Sequence, residues 1–206
     1  RNGFFISAQN SVYQLKDDNI INLGISYKKT KSIALTKEDV LLIGTFGDGL
    51  VQVDPNGIIN YPKLDNKENV RVNTSSIMNN SIILGTNKGL FSKKENRFLF
   101  SNNILDLAVD GSKEVWLATD KGLYRYFQNN SNKVKLDGLK SNSAILSVQL
   151  DKMNRKWLGT LNGLVKLDTK KSKEDIYIYN EADGLISNTI YSTCQVPGGI
   201  VATGSG

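Results

Sequence analysis

Apolar residues along this chain come in bursts of four to seven, rich in Val, Ile, Tyr, Trp and Thr and separated by Gly, Asn, Asp and Lys. No stretch sustains apolar positions at i, i+3, i+4 and i+7, so the pattern predicts strands and tight turns rather than amphipathic helices. The clearest run predicts a first strand over 144–150, a second over 155–160, a third over 163–168 and a fourth over 175–179. Between the second and third stands Thr160-Leu161-Asn162-Gly163, a short hairpin in which glycine takes the positive φ that a Cβ disfavours.

That run is one copy of a repeat. Trp157-Leu158-Gly159-Thr160 through Gly163-Leu164 aligns with Leu84-Gly85-Thr86 through Gly89-Leu90, with Trp116-Leu117-Ala118-Thr119 through Gly122-Leu123, and with Ile43-Gly44-Thr45 through Gly49-Leu50. Ile6-Ser7-Ala8 with Gln9 and Asn10, and Val201-Ala202-Thr203 running to Gly206, complete six copies. Measured along Ala8, Thr45, Thr86, Thr119, Thr160 and Thr203, the steps are 37, 41, 33, 41 and 43 residues. A period near 40 made of strands points to an all-β fold, a β-propeller of four-stranded antiparallel blades. The expected blade parts are 3–24, 30–62, 73–100, 102–137, 143–180 and 188–206, about five blades' worth. Because both ends fall inside blades, a segment of a larger, seven-bladed ring is expected.

One column is small throughout: Ser7, Gly44, Gly85, Ala118, Gly159 and Ala202. This predicts close backbone approach, with Trp116 and Trp157, two residues earlier, as wedges buried between blades.

Composition removes several kinds of chemistry. Histidine is absent and Cys194 is the single cysteine, so this chain has no internal disulfide, no His-based triad and no Cys/His zinc cage. No enzyme activity, metal or cofactor is expected. The formal charge of +6 comes largely from lysines at turns, such as Lys28-Lys29, Lys93-Lys94 and Lys170-Lys171. They form no basic stripe with interleaved aromatics, so no nucleic-acid contact is expected. No apolar run reaches membrane-spanning length.

Candidate binding residues follow from geometry. In an antiparallel blade, the start of strand one and the end of strand two share one end of the sheet. Ser101-Asn102-Asn103, Ser141-Asn142 and Ser187-Asn188 at the blade starts should therefore crowd the same face as the Thr-x-x-Gly hairpins. The candidates on that face are Phe46, Asp48, Asn87, Lys88, Asn103, Asp120, Lys121, Asn142, Asn162 and Asn188. Phe46 would lie under a sugar ring, and Lys88 and Lys121 would meet an anionic group, with the net charge tilting the ligand toward an acidic saccharide.

The repeat resembles the two-component regulator propeller family. Gly138-Leu139-Lys140-Ser141-Asn142 through Asp151 to Trp157-Leu158-Gly159-Thr160 and Leu167-Asp168 follows its pattern, as does Asn103-Ile104 through Asp110-Gly111 to Trp116-Leu117-Ala118-Thr119 and Tyr124-Arg125-Tyr126. The remaining copies depart from it, with Leu42 and Ile83 in place of Trp and Ala8 in place of Thr. The resemblance implies a periplasmic sensor of a hybrid two-component system that binds an oligosaccharide and signals to a histidine kinase outside this chain. The partners so implied are the oligosaccharide and the remainder of the propeller and receptor, with a homodimer left open. The alternative is a protein-binding scaffold propeller of a secreted or surface protein.

Overall fold

The computed structural model describes residues 4–8, 11–26, 29–65, 69–111, 113–169 and 175–205. Gly3, Gln9, Asn10, Lys28, Lys170, Lys171 and Gly206, which figure in the patterns above, lie outside the described residues. The chain divides into two compact units, residues 1–101 and 102–206.

In the first unit, β1 (Phe4–Ala8), β2 (Ser11–Lys16) and β3 (Asn19–Ser26) form a three-stranded antiparallel sheet. The next blade is β4 (Thr30–Leu35), β5 (Leu41–Gly47), β6 (Leu50–Val53) and β7 (Ile59–Asn60), and the one after it β8 (Val70–Met78), β9 (Ser81–Thr86), β10 (Gly89–Ser92) and β11 (Arg97–Phe100). These two are joined, because β5 runs on past Thr45 and pairs with β8 through Phe46↔Arg71 and Gly47↔Val70. The cause is local. This hairpin carries one residue more than the Thr-x-x-Gly of the other copies, and the extra length lets strand geometry continue beyond the edge of its own blade.

The second unit holds two four-stranded antiparallel sheets. They are β12 (Ile104–Val109), β13 (Val115–Thr119), β14 (Gly122–Phe127) and β15 (Asn130–Lys133), then β16 (Ile145–Leu150), β17 (Lys156–Thr160), β18 (Gly163–Asp168) and β19 (Asp175–Tyr179). A two-stranded sheet of β20 (Ile190–Val196) and β21 (Gly199–Gly204) follows. The first strands of successive sheets lie against one another, β12 on β16 and β16 on β20.

The second strands β5, β9, β13 and β17 are covered on both faces, which explains their apolar runs. Every residue of β13 is buried, whereas every residue of the fourth strand β15 is exposed. Trp116, Leu123, Leu158, Val165 and Leu167 pack together between the two four-stranded sheets. Leu42, Leu84 and Phe91 do the same between the second and third sheets, and Val12, Leu41 and Ile43 between the first and second. Lys156, only 1% exposed, lies among them with its Nζ 4.5 Å from the centre of the Trp116 ring, donating to Asn154 O and Thr169 Oγ1. Burial holds its amine below the ordinary lysine value, against the opposing pull of Asp110 and Glu114.

The threonine column does more than pack. Thr45, Thr86, Thr119 and Thr160 are fully buried, and each Oγ1 donates to the carbonyl of the hairpin glycine: Gly49, Gly89, Gly122 and Gly163, at 2.7–2.9 Å. In three of the four the same oxygen accepts an amide from within the turn, that of Lys88, Lys121 or Asn162. The glycines have φ of 75°, 133°, 119° and 117°, as the hairpin requires. Thr160→Val keeps the shape but removes both bonds of a buried hydroxyl, and should cost about 1–2 kcal/mol. Denaturant midpoints check this, and an unchanged midpoint would mean the hydroxyl is dispensable.

One expectation about packing holds and one needs correction. At Gly44 and Gly159 the small column does admit the close backbone approach expected of it. A Cβ on Gly44 would sit 2.5 Å from Val72 O, and one on Gly159 would sit 2.6 Å from Ile190 O, each belonging to the next first strand. Trp116 is 2% exposed, but Trp157 is only half-buried. Opposite Trp157 stands the Gly198-Gly199 turn, which has no side chains to cover it, and a cavity of about 210 Å³ remains there. The ring instead stacks on Tyr179 at 5.9 Å, and its Nε1 donates to Asp151 Oδ2. Burial alone would raise the Asp151 carboxyl, but hydrogen bonds from Trp157 and Arg155 outweigh it and hold that group below the usual carboxylate range.

Candidate functional site

The strand registers put blade starts and hairpins at one end of each sheet. Thr30 faces Thr45, Val72 faces Thr86, Ile104 faces Thr119 and Ile145 faces Thr160. Immediately after each of these first-strand positions the ladder slips by one residue, and the same slip follows Ile190 in β20. The residue left over at the bulge is Lys31, Asn73, Leu105, Leu146 or Tyr191, leucine in the two four-stranded sheets of the second unit and a different side chain in each of the other three. A bulge re-aims a side chain and ends regular pairing. The hairpin end therefore carries one position per blade that the sequence pattern did not single out. No residue type marks it, because the slip is a property of register.

In the first unit, the structure brings together Phe46 and Asn87. Arg71, opposite Phe46 across the β5–β8 pair, donates its backbone amide to Asn87 Oδ1 at 2.8 Å, while Asn87 N donates to Arg71 O. Asn87 Nδ2 also reaches Asn69 O at 3.4 Å. Phe46 is 46% exposed, with Lys29 Nζ, Lys31 Nζ and the Arg71 guanidinium carbon 6.0, 5.7 and 5.0 Å from its ring centre. Asp48 and Lys88 are exposed on the two hairpins. Nothing in the sequence ties Lys29, Lys31 and Arg71 to this hairpin, because they are distant from it along the chain.

In the second unit several candidates are engaged by structure. Asn103 Nδ2 donates to Asp120 Oδ2 at 3.2 Å, which links a blade start to its own hairpin. Asn142 Oδ1 accepts from Lys133 Nζ at 2.6 Å. Asn188 Oδ1 accepts from Glu181 N while Glu181 Oε1 accepts from Asn188 N, a reciprocal clamp on the connection that follows β19. Lys121 and Asn162 are exposed at their hairpin tips. A cavity of about 300 Å³ opens beside Asn142, lined by Gly122, Lys133, Leu136, Ser141 and Ser143. It lies at the lower bound for small-molecule sites.

The other end of the sheets is not featureless. In the first unit a cleft of about 530 Å³ lies among Thr36, Val40, Gln52, Asn79 and Lys93, at the turns that join first to second strands. Lys93 Nζ donates to Gln52 Oε1 there, and burial lowers its amine. Among the described residues no group of three or more His, Cys, Asp or Glu side chains could hold a metal ion, and no helix is long and apolar enough to cross a membrane.

No family model matches the chain, and no curated protein matches it. Solved structures do. The extracellular domain of the putative hybrid two-component system BT3049 from B. thetaiotaomicron superposes with a TM-score of 0.72 at 19% identity, over 96% of this chain and 30% of that one. The extracellular domain of the putative hybrid two-component system BT4673 from the same organism gives 0.64 at 20% identity, over 97% and 37%. Virginiamycin B lyase from Staphylococcus aureus gives 0.74 at 10% identity, over 95% and 71%. The chain thus spans about a third of the length of the two extracellular domains. At such identities the likeness is one of fold, and the fold of this chain is the all-β propeller of four-stranded antiparallel blades.

Proposed function

We propose that this chain is part of an extracytoplasmic, non-catalytic sensor propeller that binds an oligosaccharide at the hairpin end of its blades and passes the signal to a histidine kinase outside the chain. The observation that carries the reading is the contrast within each blade. Repeated columns such as Thr86 and Leu84 are fully buried, while the exposed residues at the hairpin end, among them Phe46, Lys31, Tyr191 and the hairpin tips Asp48, Lys88, Lys121 and Asn162, vary between blades. A protein that must distinguish ligands needs variable side chains on an invariant frame, and a polar saccharide needs amide, ammonium and aromatic groups together. The similarity to extracellular domains of putative hybrid two-component systems supports the sensor assignment.

The lyase neighbours supply the enzymatic alternative, and residue chemistry weighs against it. A histidine-to-alanine variant of that lyase is catalytically inactive, and this chain contains no histidine. A protein-binding scaffold is the second reading. It is favoured by the aromatic row of the half-buried Trp157 and Tyr179 and the exposed Tyr177, with Lys166 over both tyrosine rings.

A glycan array probed with the protein tests the proposal. Binding to a defined oligosaccharide, lost on Phe46→Ala and Asn87→Ala with the fold retained, is the expected result. An array with no saccharide bound would refute it.

A further inference from the structure

We propose that Phe46, Lys29, Lys31 and Arg71 form a subsite for an acidic sugar residue, a ring bearing a carboxylate or a sulfate; this rests on the saccharide-sensor reading above. Three cationic groups approach one half-exposed ring, the nearest of them the Arg71 guanidinium at 5.0 Å from its centre. Among the described residues, neither Lys31 nor Arg71 has a carboxylate within ion-pair distance. Among the described residues, the buried Arg71 Nε has no hydrogen-bond partner. Lys31 and Arg71 beside one ring repel each other, and an anion bound there offsets that repulsion.

The backbone holds these groups in place. Lys29 O accepts the Phe46 amide at 3.0 Å, Lys31 is the residue left over at the β4 bulge, and Arg71 is fixed by its pairing with Phe46 and by Asn87 Oδ1. The extended β5, in the blade with the longer hairpin, is what carries Phe46 across to Arg71. An aromatic face beside cations suits a sugar ring whose C–H face stacks while its acidic substituent meets the guanidinium fork. A single-stranded polynucleotide would want successive aromatic platforms, and this cluster has one ring. The subsite differs from the Lys88 and Lys121 pair expected from the sequence. The amines over the Phe46 ring are those of Lys29 and Lys31, whereas Lys88 and Lys121 belong to different units.

The test is calorimetric titration with tetragalacturonate, its methyl ester, a chondroitin sulfate tetrasaccharide, its desulfated and methyl-esterified form and an oligothymidylate of similar length, at low and at moderate salt. At least one acidic saccharide should bind about tenfold or more tighter than its neutral counterpart, and the difference should shrink with salt. Lys31→Ala with Arg71→Ala should abolish that difference while leaving neutral-saccharide binding in place. Lys29→Ala with Lys31→Ala, which leaves the half-buried Arg71 untouched, should reduce it in a protein of unchanged melting temperature. Neutral and acidic forms binding equally would overturn the subsite and leave the sensor reading standing. Binding of no saccharide at all would overturn both. Tighter binding of oligothymidylate than of every acidic saccharide, or undiminished acidic binding by the variants at low salt, would also overturn the subsite.

Discussion

Trp116→Ala is expected to destabilise the protein by about 3–5 kcal/mol, the range for emptying a large aromatic site in a packed core. The indole is 2% exposed and is packed with Ala118, Leu123, Ile145, Val148 and Leu158, with Lys156 Nζ lying over its face. Its removal would leave a void between two sheets whose backbones are held by their ladders and cannot close over it. It would also strip the buried ammonium of its ring. Trp157→Ala should cost less than half as much, because that ring is half-buried and lines an open cavity. Urea denaturation of both variants checks the contrast. Equal losses would mean that the two tryptophans play the same part.

Gly159→Ala should cost about 3 kcal/mol, near the upper end of the range for overpacking. The new methyl would sit 2.5 Å from Ser147 Oγ and 2.6 Å from Ile190 O. Neither neighbour can step aside cheaply. Ser147 Oγ bonds Thr193 Oγ1 at 3.2 Å, and Ile190 belongs to the next first strand, so the clash falls on backbone already engaged in a ladder. Gly199→Ala is the control, since nothing lies within 4 Å of its Cβ position and its φ is one that other residues adopt. That change should stay within about 0.5 kcal/mol. Equal tolerance at the two positions would show that the small column is not set by the approach of the next blade.

Repetition made the fold legible. Gly89, Gly122 and Gly163 three residues after a threonine, with apolar second strands around them, specify the same hairpin each time. Repeated evidence of that kind overcomes the weakness of any single strand signal. Departures from the repeat were legible only in part. The extra residue between Thr45 and Gly49 is visible in the sequence, but its effect, a β5 that crosses to β8, depends on where Arg71 lies in space. The bulges that leave Lys31 and Tyr191 over are invisible, because composition does not encode register. Trp157 occupies the column of Trp116, and its exposure is decided by a glycine turn some 40 residues further on. The hairpin end could be named from antiparallel geometry alone, whereas the cations around Phe46 could not. They come from two different first strands and the connection before one of them, and meet only after folding.

The central claim is that variable side chains at the hairpin end, rather than the cleft at the opposite turns, hold the ligand. Amide chemical-shift mapping, with the saccharide that binds most strongly on the array, tests it most directly. The account predicts perturbations at residues 45–49, 71 and 86–89 in the first unit or at 119–122 and 160–163 in the second, with 36–40, 79–80 and 93 unmoved. Perturbations confined to 36–40, 79–80 and 93 would contradict it.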